Sequence, residues 1–322
     1  MGLLCNNLVF MEKQKKEIGK IFKIKDLGPI SHLLGLAIDY DHEKGVLQLS
    51  QGQYIQQSLE RYSFDNGRTH PTPLSSGSKL TKADCPQTAA DIEAMKALPY
   101  QSLIGTLMYA MLGTRPDIAF AVGTLSKYSS NPGRKHWNEA VHVLGYLGGT
   151  KDLGLVYDRS KGANLSSFIS GYTDSDWAGD LNTHRSTGGF VFLACGAAIS
   201  WSSKLQLSPA LSSTEAKYMA CTRATQEAIW LRQLLEQLGY KQMTPTKIKG
   251  DNQGAIALAK NFGDHPCTKH IQLRYHFIHF AITDGQISLD YVPTQNMITD
   301  GLTKGLTGEK HKDFVSMLGL KP

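Results

Sequence analysis

The sequence predicts an α/β fold in which helices flank a mixed five-stranded sheet, preceded by a smaller α+β part. Three observations predict it. The chain of 322 residues is longer than one typical domain. Its middle has helical periodicity, and after Gly149 the apolar spacing changes to two and then alternates between strand and helix. Hydrophobic residues at 41% and charged residues at 19% are typical of a folded globular protein.

The first part of the chain combines helices with short strands. A basic amphipathic helix leading into a strand is predicted over residues 8–27. Two short strands follow in HLLGLAIDYD and GVLQLSQ, joined by the turn-like HEKG, and then a helix in QYIQQSLERYSF. Residues 69–98 are predicted to be a connector because Pro71, Pro73 and Pro86 interrupt a stretch rich in Ser and Thr.

The middle of the chain, residues 99–150, predicts a compact bundle of three helices. The breakers Arg115-Pro116 and Asn131-Pro132-Gly133 separate them. The three helical stretches are SLIGTLMYAMLGT, PDIAFAVGTLSKYSS and KHWNEAVHVLGYL.

The last part predicts the mixed sheet itself. GLVYD and then LSSFISGYTD, STGGFVFLA and AAISWSSK make a run of strands with turn residues between them, and a long helix follows over residues 213–238. A strand at KIKGD, two helices, a strand at QISLDYV and a final helix complete the order. Three hairpin strands followed by crossovers indicate a five-stranded sheet with helices on its faces.

Four acidic residues are the strongest functional signal: Asp174, Glu215, Asp251 and Asp300. Each lies at a predicted strand end or in the first turns of a predicted helix. Any one alone would be interpreted as a helix cap or a surface residue. Four carboxylates that converge would repel one another unless divalent cations held them, and two metal ions clamping a phosphodiester is a recurrent use of such a site. The set therefore predicts a metal-dependent nuclease.

Charge and cysteine usage limit the class of protein. The net charge of +6, from 34 basic and 28 acidic residues, favours an anionic partner. The five cysteines contain no Cys-x-x-Cys pair, which indicates reduced intracellular thiols and neither a disulfide framework nor a cysteine zinc site. The longest apolar stretch is too short and too interrupted to span a bilayer.

Many ordered motifs carry a resemblance to a known family. They are FKIKDLG, LGLAIDY, LSQGQYI, RPDIAFAVGTLSKY, YTDSDWAGD, ISWSSK, ALSSTEAKY, AIWLRQLL, DNQGAIALA, TKHI and YVPT. From about Phe22 to Leu306 the chain resembles the C-terminal part of a copia-type LTR retrotransposon Pol polyprotein. The resemblance implies a ribonuclease H-like fold, and the family's metal-binding, catalytic acids fall on Asp174, Glu215, Asp251 and Asp300.

The same resemblance implies four segments. They are a residual reverse-transcriptase palm segment at 1–68, a linker at 69–98, a helical thumb- or connection-like region at 99–150 and a ribonuclease H-like domain at 151–322. The family's Tyr-Val-Asp-Asp polymerase motif does not occur ahead of FKIKDLG. We therefore expect a truncated product that has no reverse transcriptase activity by itself.

The implied activity is endonucleolytic cleavage of the RNA strand of RNA–DNA hybrids with two Mg²⁺ ions, for which Mn²⁺ can substitute. The alternatives are a catalytically silent nucleic-acid-binding remnant and a DNA endonuclease of the same fold. The expected partners are an RNA–DNA hybrid and a full-length reverse transcriptase or other retroelement proteins, with no membrane. The expected location is intracellular: the cytoplasm, a virus-like particle or the nucleus.

Residues beside the acids are candidates for nucleic-acid contact. Four of them lie where an ordinary helix cap is equally plausible, namely Ser212, Ser213, Asn252 and Gln253. The other two, Lys269 and His270, are expected to contact phosphate or to help the product leave. The candidates are Ser212, Ser213, Asn252, Gln253, Lys269 and His270.

Three alternatives stay open at this stage. Asp176 is two residues from Asp174 and competes with it as first metal ligand, although the Tyr-Thr-Asp order favours Asp174. A cluster of His265, Cys267, His270 and His276 fits no common zinc site. The stretch Arg134–Trp137 either grips the hybrid backbone or is an exposed helix start with a half-buried Trp.

Overall fold

The described residues of the computed structural model form two five-stranded sheets with helices between and around them. The structure describes residues 2–3, 5, 7–64, 67–162, 168–260 and 272–322. No helix within these ranges is both long enough and apolar enough to cross a membrane.

The first sheet is antiparallel throughout. Its strands are β1 (His32–Leu33), β2 (Leu36–Asp41), β3 (Val46–Ser50), β4 (Gly154–Asp158) and β10 (Leu320–Lys321), in the spatial order β1-β2-β3-β4-β10. The predicted hairpin of β2 and β3 is confirmed. Asp41 Oδ1 closes its turn by accepting hydrogen bonds from the backbone N–H groups of Glu43 (3.1 Å) and Lys44 (3.0 Å). Strand β4 pairs with β3 along its whole length although the two are far apart in sequence.

Helix α1 (Leu8–Ile21) precedes this sheet and confirms the predicted helix. It begins at Asn7, whose side chain accepts a 3.0 Å hydrogen bond from Phe10 N. The sequence predicted a helix and strand through residue 27, but the helix ends at Ile21 and no strand follows directly. The difference has a physical reason: residues 22–27 are all exposed, so no neighbouring strand or core within the described ranges packs against them to make a strand.

A helical layer follows the first sheet. Its members are α2 (Gly52–Arg61), α3 (Ala89–Lys96), α4 (Tyr100–Gly113), α5 (Ala119–Ser126) and α6 (Arg134–Gly149). Helices α4 to α6 confirm the predicted bundle. They pack through Leu103, Leu107, Leu125 and Val143, each fully buried. Helix α3 lies inside the stretch predicted as a connector.

The second sheet is mixed. Its strands are β5 (Ser170–Ser175), β6 (Thr187–Ala194), β7 (Ala197–Leu205), β8 (Thr246–Gly250) and β9 (Ile287–Tyr291), in the order β7-β6-β5-β8-β9. The pairs β5–β6 and β6–β7 are antiparallel, whereas β5–β8 and β8–β9 are parallel. This is the mixed five-stranded sheet that the sequence predicts, and that prediction is confirmed.

Helices cover both faces of the second sheet. They are α7 (Ser213–Gln237), α8 (Gln253–Lys260), α9 (Gln272–Thr283), α10 (Asp300–Thr303) and α11 (Gly308–Met317). Phe192 of β6 packs in the cluster that contains Tyr218 of α7. Its neighbour Val191 packs on the other face with Phe314 of α11 and with Leu155 of β4. That second cluster joins the two sheets through a continuous apolar core.

The chain's final helical stretch differs from the prediction of one helix. The structure divides it into α10 and α11, because Lys304 adopts an extended backbone that ends α10.

Candidate active site

Asp174 and Asp251 lie at neighbouring ends of the parallel strands β5 and β8. Asp174 is the next-to-last residue of β5, and Asp251 immediately follows β8. Their side chains are only 4% and 5% exposed. Two carboxylates this deeply buried need a compensating positive group. The crossover predicted from the sequence therefore does bring these two acids to one edge of the sheet, as open sheets require of a ligand site.

The positive group is Lys217, on the second turn of α7. Its Nζ lies 3.0 Å from Asp174 Oδ1 and also contacts Asp251 Oδ1. Burial alone lowers the pKa of Lys217, but the charge of Asp174 and the hydrogen bond to Asp251 outweigh it and raise that pKa above its ordinary value. Lys217 is therefore a charged ammonium that bridges the two carboxylates.

Two threonine hydroxyl groups hold the other oxygen of each carboxylate. Thr303 Oγ1 donates a 2.9 Å hydrogen bond to Asp174 Oδ2, and Thr294 Oγ1 donates a 3.0 Å bond to Asp251 Oδ2. Asp174 Oδ1 accepts no hydrogen bond of good geometry from the described residues, so its contact with Lys217 is an ion pair alone. Both carboxylates are thus fixed in orientation, with their Oδ1 atoms facing the same ammonium.

Asp300 lies beside this pair. It is the first residue of α10, and its Oδ2 forms a 2.9 Å ion pair with Lys304 Nζ. Burial raises the pKa of Asp300, Lys304 opposes that effect, and the charges of Asp174 and Asp251 raise the pKa further. The mutual repulsion of these three acids indicates that they share one electrostatic environment.

Glu215 is positioned by the start of α7. Ser212 caps the helix by accepting a 3.1 Å hydrogen bond from Glu215 N, while Glu215 Oε2 accepts a 2.8 Å bond from Leu211 N. The cap predicted from the sequence is confirmed. The carboxylate of Glu215 is engaged with the backbone that precedes its own helix.

Within the described ranges, no three His, Cys, Asp or Glu side chains are arranged as a ready-made metal site. The structure brings Asp174 and Asp251 together through Lys217, with Asp300 at their side and Glu215 turned toward the Leu211 backbone. The chemistry of these donors nevertheless suits a hard cation, because carboxylate oxygens are the ligands that Mg²⁺ prefers.

Asp176, the alternative to Asp174, has a different environment. Its Oδ1 accepts a hydrogen bond from Thr187 N, which joins the end of β5 to the start of β6. Burial raises the pKa of Asp176 to about 6, and the charge of Asp174 adds to the effect. Asp176 therefore supports the sheet edge, whereas Asp174 faces Lys217.

The candidate nucleic-acid ligands divide into caps and exposed residues. Ser212 caps α7, and Asn252 Oδ1 accepts a 2.7 Å hydrogen bond from Ala255 N at the start of α8. Ser213 and Gln253 are exposed. Lys269 and His270 lie outside the described residues, as do His265 and Cys267 of the candidate zinc cluster, so only its exposed His276 is described.

The Arg134–Trp137 stretch is mostly structural. His136 is fully buried, accepts a 2.9 Å hydrogen bond from Gly133 N and stacks on Tyr128 at 4.0 Å. Trp137 packs half-buried against the helical core, and Lys135 pairs with Asp84 at 3.1 Å. This favours the helix-start interpretation over a grip on nucleic acid.

Sequence reasoning missed Lys217, Thr294 and Thr303. Lys217 carried the one usable signal, since it is the single lysine of a long helix whose neighbouring residues are small or apolar. The threonines gave none, because a hydroxyl 129 residues from its acceptor is placed only by the fold.

Comparison of the sequence with known proteins identifies the family of this chain. No family model matches the sequence. The chain is 40% identical over 308 residues to the retrovirus-related Pol polyprotein from transposon TNT 1-94 of Nicotiana tabacum, which covers 96% of this chain. It is 32% identical over 217 residues to a putative transposon Ty5-1 protein of Saccharomyces cerevisiae, with 67% of each protein covered. The chain belongs to the copia-type retrotransposon Pol polyprotein family. This Pol-family chain spans 23% of the length of the tobacco polyprotein.

A solved structure gives a weaker likeness to this Pol-family chain. LC11-RNase H1, a ribonuclease H1 isolated from compost, is 18% identical with a TM-score of 0.33, covering 42% of this chain and 91% of its own.

Proposed function

We propose that this chain cleaves the RNA strand of RNA–DNA hybrids. One observation carries the proposal: Asp174 and Asp251, buried at the carboxyl ends of adjacent parallel strands, converge on a single cation, the ammonium of Lys217. A sheet edge that concentrates negative charge around one cation suits a reaction on a phosphodiester, whose transition state is also held by cations. Membership of the Pol family supports this choice of substrate.

The proposed metal ligands are Asp174, Glu215, Asp251 and Asp300, and the proposed cofactor is Mg²⁺, with Mn²⁺ as a substitute. When bound, two such ions would lower the pKa of a water molecule and neutralise charge that develops on the phosphate.

The protein's own groups orient these acids. The hydroxyl groups of Thr303 and Thr294 fix the Oδ2 atoms of Asp174 and Asp251, so that the Oδ1 atoms point to a common position. Lys304 holds the Asp300 carboxylate, and Leu211 N holds that of Glu215. Such outer contacts tune metal affinity and activity, typically by about 10- to 100-fold.

Substrate contact is proposed for the exposed and capping residues around the acids. Ser213 and Gln253 stand exposed at the starts of α7 and α8, where backbone N–H groups also favour phosphate. Selection of RNA would depend on hydrogen bonds to the 2′-hydroxyl group and on the shape of the hybrid's minor groove. The net charge of +6 supports binding of a polyanion.

A second candidate is a nucleic-acid-binding protein without catalysis. The observation in its favour is Lys217 itself, which already neutralises part of the charge on Asp174 and Asp251. In this alternative the ammonium replaces the metal ions permanently, and the protein binds a hybrid without cutting it.

The test is incubation of purified protein with a hybrid labelled on its RNA strand, in Mg²⁺. Asp251→Asn should abolish cleavage. Asp284→Asn is the matched control, because Asp284 is exposed near the opposite end of β9 and accepts a hydrogen bond from Gln286 of its own turn. The proposal is supported if wild type and Asp284→Asn cleave the RNA strand and Asp251→Asn does not. Hybrid binding without cleavage by a folded wild type supports the second candidate, and cleavage of duplex DNA in preference to hybrid contradicts both.

A further inference from the structure

We propose that Lys217 is a built-in cation that a divalent metal ion has to displace from Asp174 and Asp251. This inference rests on the proposed function, since it concerns metal binding at the same acids. It goes beyond that function by assigning a role to a residue that is not a metal ligand. Lys217 would set how tightly this chain holds its metal ions, and so at what metal concentration it becomes active.

The contacts of the two carboxylates carry the first step. Asp174 uses Oδ2 for Thr303 and Oδ1 for Lys217, and Asp251 uses Oδ2 for Thr294 and Oδ1 for Lys217. All four oxygens therefore already have a partner. A divalent ion that these carboxylates would hold has to compete with the ammonium for the same Oδ1 atoms, because two cations a few Å apart repel each other.

Burial carries the second step. The side chains of Asp174 and Asp251 are 4% and 5% exposed, so water screens their charges poorly. Without a counter-ion these carboxylates would be costly to bury together. Lys217 removes that cost in the metal-free protein. The free energy of metal binding is therefore reduced by the attraction between the ammonium and the two carboxylates, which the metal ion has to replace.

The lysine side chain carries the third step. The Lys217 side chain is 21% exposed, so part of it borders solvent. Four methylene groups give it the reach to move away while its backbone stays in α7. Displacement thus requires one side-chain movement and no change in the sheet.

The proposal predicts the effect of removing the charge. Lys217→Gln should bind Mg²⁺ and Mn²⁺ at least about tenfold more tightly than wild type, because the metal no longer competes with an ammonium. Lys217→Arg keeps a cation and should stay close to wild type. Lys241→Gln is the matched control: it removes one positive charge at a surface pair with Glu236, about 30 Å away along α7.

The experiment is titration calorimetry of Mg²⁺ into wild type, the three lysine variants and Asp251→Asn, with thermal unfolding as a second readout. A metal ion that binds only folded protein raises the melting temperature, so Lys217→Gln should show a larger Mg²⁺-dependent rise than wild type. Tighter binding by Lys217→Gln alone supports the proposal. Equal affinity in wild type, Lys217→Gln and Lys241→Gln overturns it.

Three further outcomes complete the test, and the last two separate this inference from the proposed function. If Lys217→Gln is unfolded without metal, the proposal requires that Mg²⁺ restore its circular dichroism spectrum, and failure to do so overturns it. If none of the proteins binds Mg²⁺, including Lys217→Gln, the metal site itself is wrong and the proposed function fails with it. If wild type cleaves hybrid but Lys217→Gln binds no more tightly, only the inference about Lys217 fails.

Discussion

Arg115 and Asp117 form an ion pair in the interior of the protein: Arg115 Nη2 lies 2.7 Å from Asp117 Oδ2, and both side chains are 0% exposed. Arg115 also donates to Thr150, and Tyr146 OH donates a 2.6 Å hydrogen bond to Asp117 Oδ2. His311 of α11 lies 2.9 Å from the same Tyr146 hydroxyl oxygen. The pair therefore links the helical layer to the last helix of the chain.

Removing one partner should be costly. Asp117→Asn leaves a buried guanidinium without its counter-ion, and we expect the free energy of unfolding to fall by about 3 to 5 kcal/mol. Urea unfolding followed by circular dichroism measures it. Glu93→Gln, which removes a partner from the exposed pair with Lys96, should cost less than about 1 kcal/mol. Equal losses of unfolding free energy in the two variants would show that the buried ion pair stabilises the protein no more than the exposed one does.

Two buried histidines predict a dependence of stability on pH. Burial lowers the pKa of both His136 and His311 below their ordinary value of 6.5. The folded state then binds fewer protons than the unfolded state, so stability is complete above about pH 6.5 and is lost as the pH falls toward the lower folded values. Between the folded and unfolded pKa values of each histidine, the loss is at most about 1.4 kcal/mol per pH unit.

Urea unfolding of wild type and His311→Gln at pH 7.5 and 5.5 checks this. The variant should be less stable at pH 7.5, because the contact with Tyr146 changes, yet lose less stability between the two pH values. His42→Gln, at an exposed side chain, should reproduce the wild-type difference. A His311→Gln variant with the full wild-type loss would contradict the assignment.

Thr303 is expected to matter for catalysis without binding substrate. Thr303→Val keeps the shape of a buried side chain but removes the donor to Asp174 Oδ2, so cleavage of hybrid should slow by about 10- to 100-fold. Thr225→Val is the control, because Thr225 is equally buried in α7 but donates only to Cys221 O. Initial rates at saturating Mg²⁺ decide the matter, and equal rates for both variants would remove Thr303 from the site.

Substitution of Asp174 and substitution of Asp176 should have different effects on the rate of hybrid cleavage. Asp174→Asn is expected to lose at least about 100-fold in cleavage rate, because Asp174 faces Lys217 at the sheet edge. Asp176→Asn keeps an oxygen that can accept from Thr187 N, so it should stay within about tenfold of wild type. Single-turnover rates on a labelled hybrid provide the measurement. Loss of activity in Asp176→Asn alone would reverse the assignment.

The sequence was sufficient for the second sheet and for the position of Asp174 and Asp251. Strand periodicity and the long helix predict the order of elements along the chain, and a right-handed crossover can place the strands of Asp174 and Asp251 side by side with their carboxyl ends together. It was not sufficient for the contacts around them. The engagement of Lys217 by two acids depends on how α7 rotates against β5 and β8, and apolar packing across the whole core fixes that rotation.

The pairing of β4 was also beyond the sequence. GLVYD has a clear strand pattern, but nothing local distinguishes the sheet it joins. The structure places it between β3 and β10, in the first sheet, with Leu47 opposite Tyr157 and Leu155 opposite Leu320. Such a choice depends on which partners are left unpaired once the second sheet has formed.

That arrangement has a consequence for the time at which the protein can fold. Strand β3 cannot complete its pairing until β4 is made, and β4 has only one neighbour until β10 follows. At a synthesis rate of 5–20 residues per second, residue 320 emerges roughly 15 to 50 seconds after residue 50. Strand β3 offers an unpaired edge until β4 emerges, and β4 then offers one until β10 emerges. The sheet whose first strands emerge early is therefore completed only after every strand of the second sheet has been made.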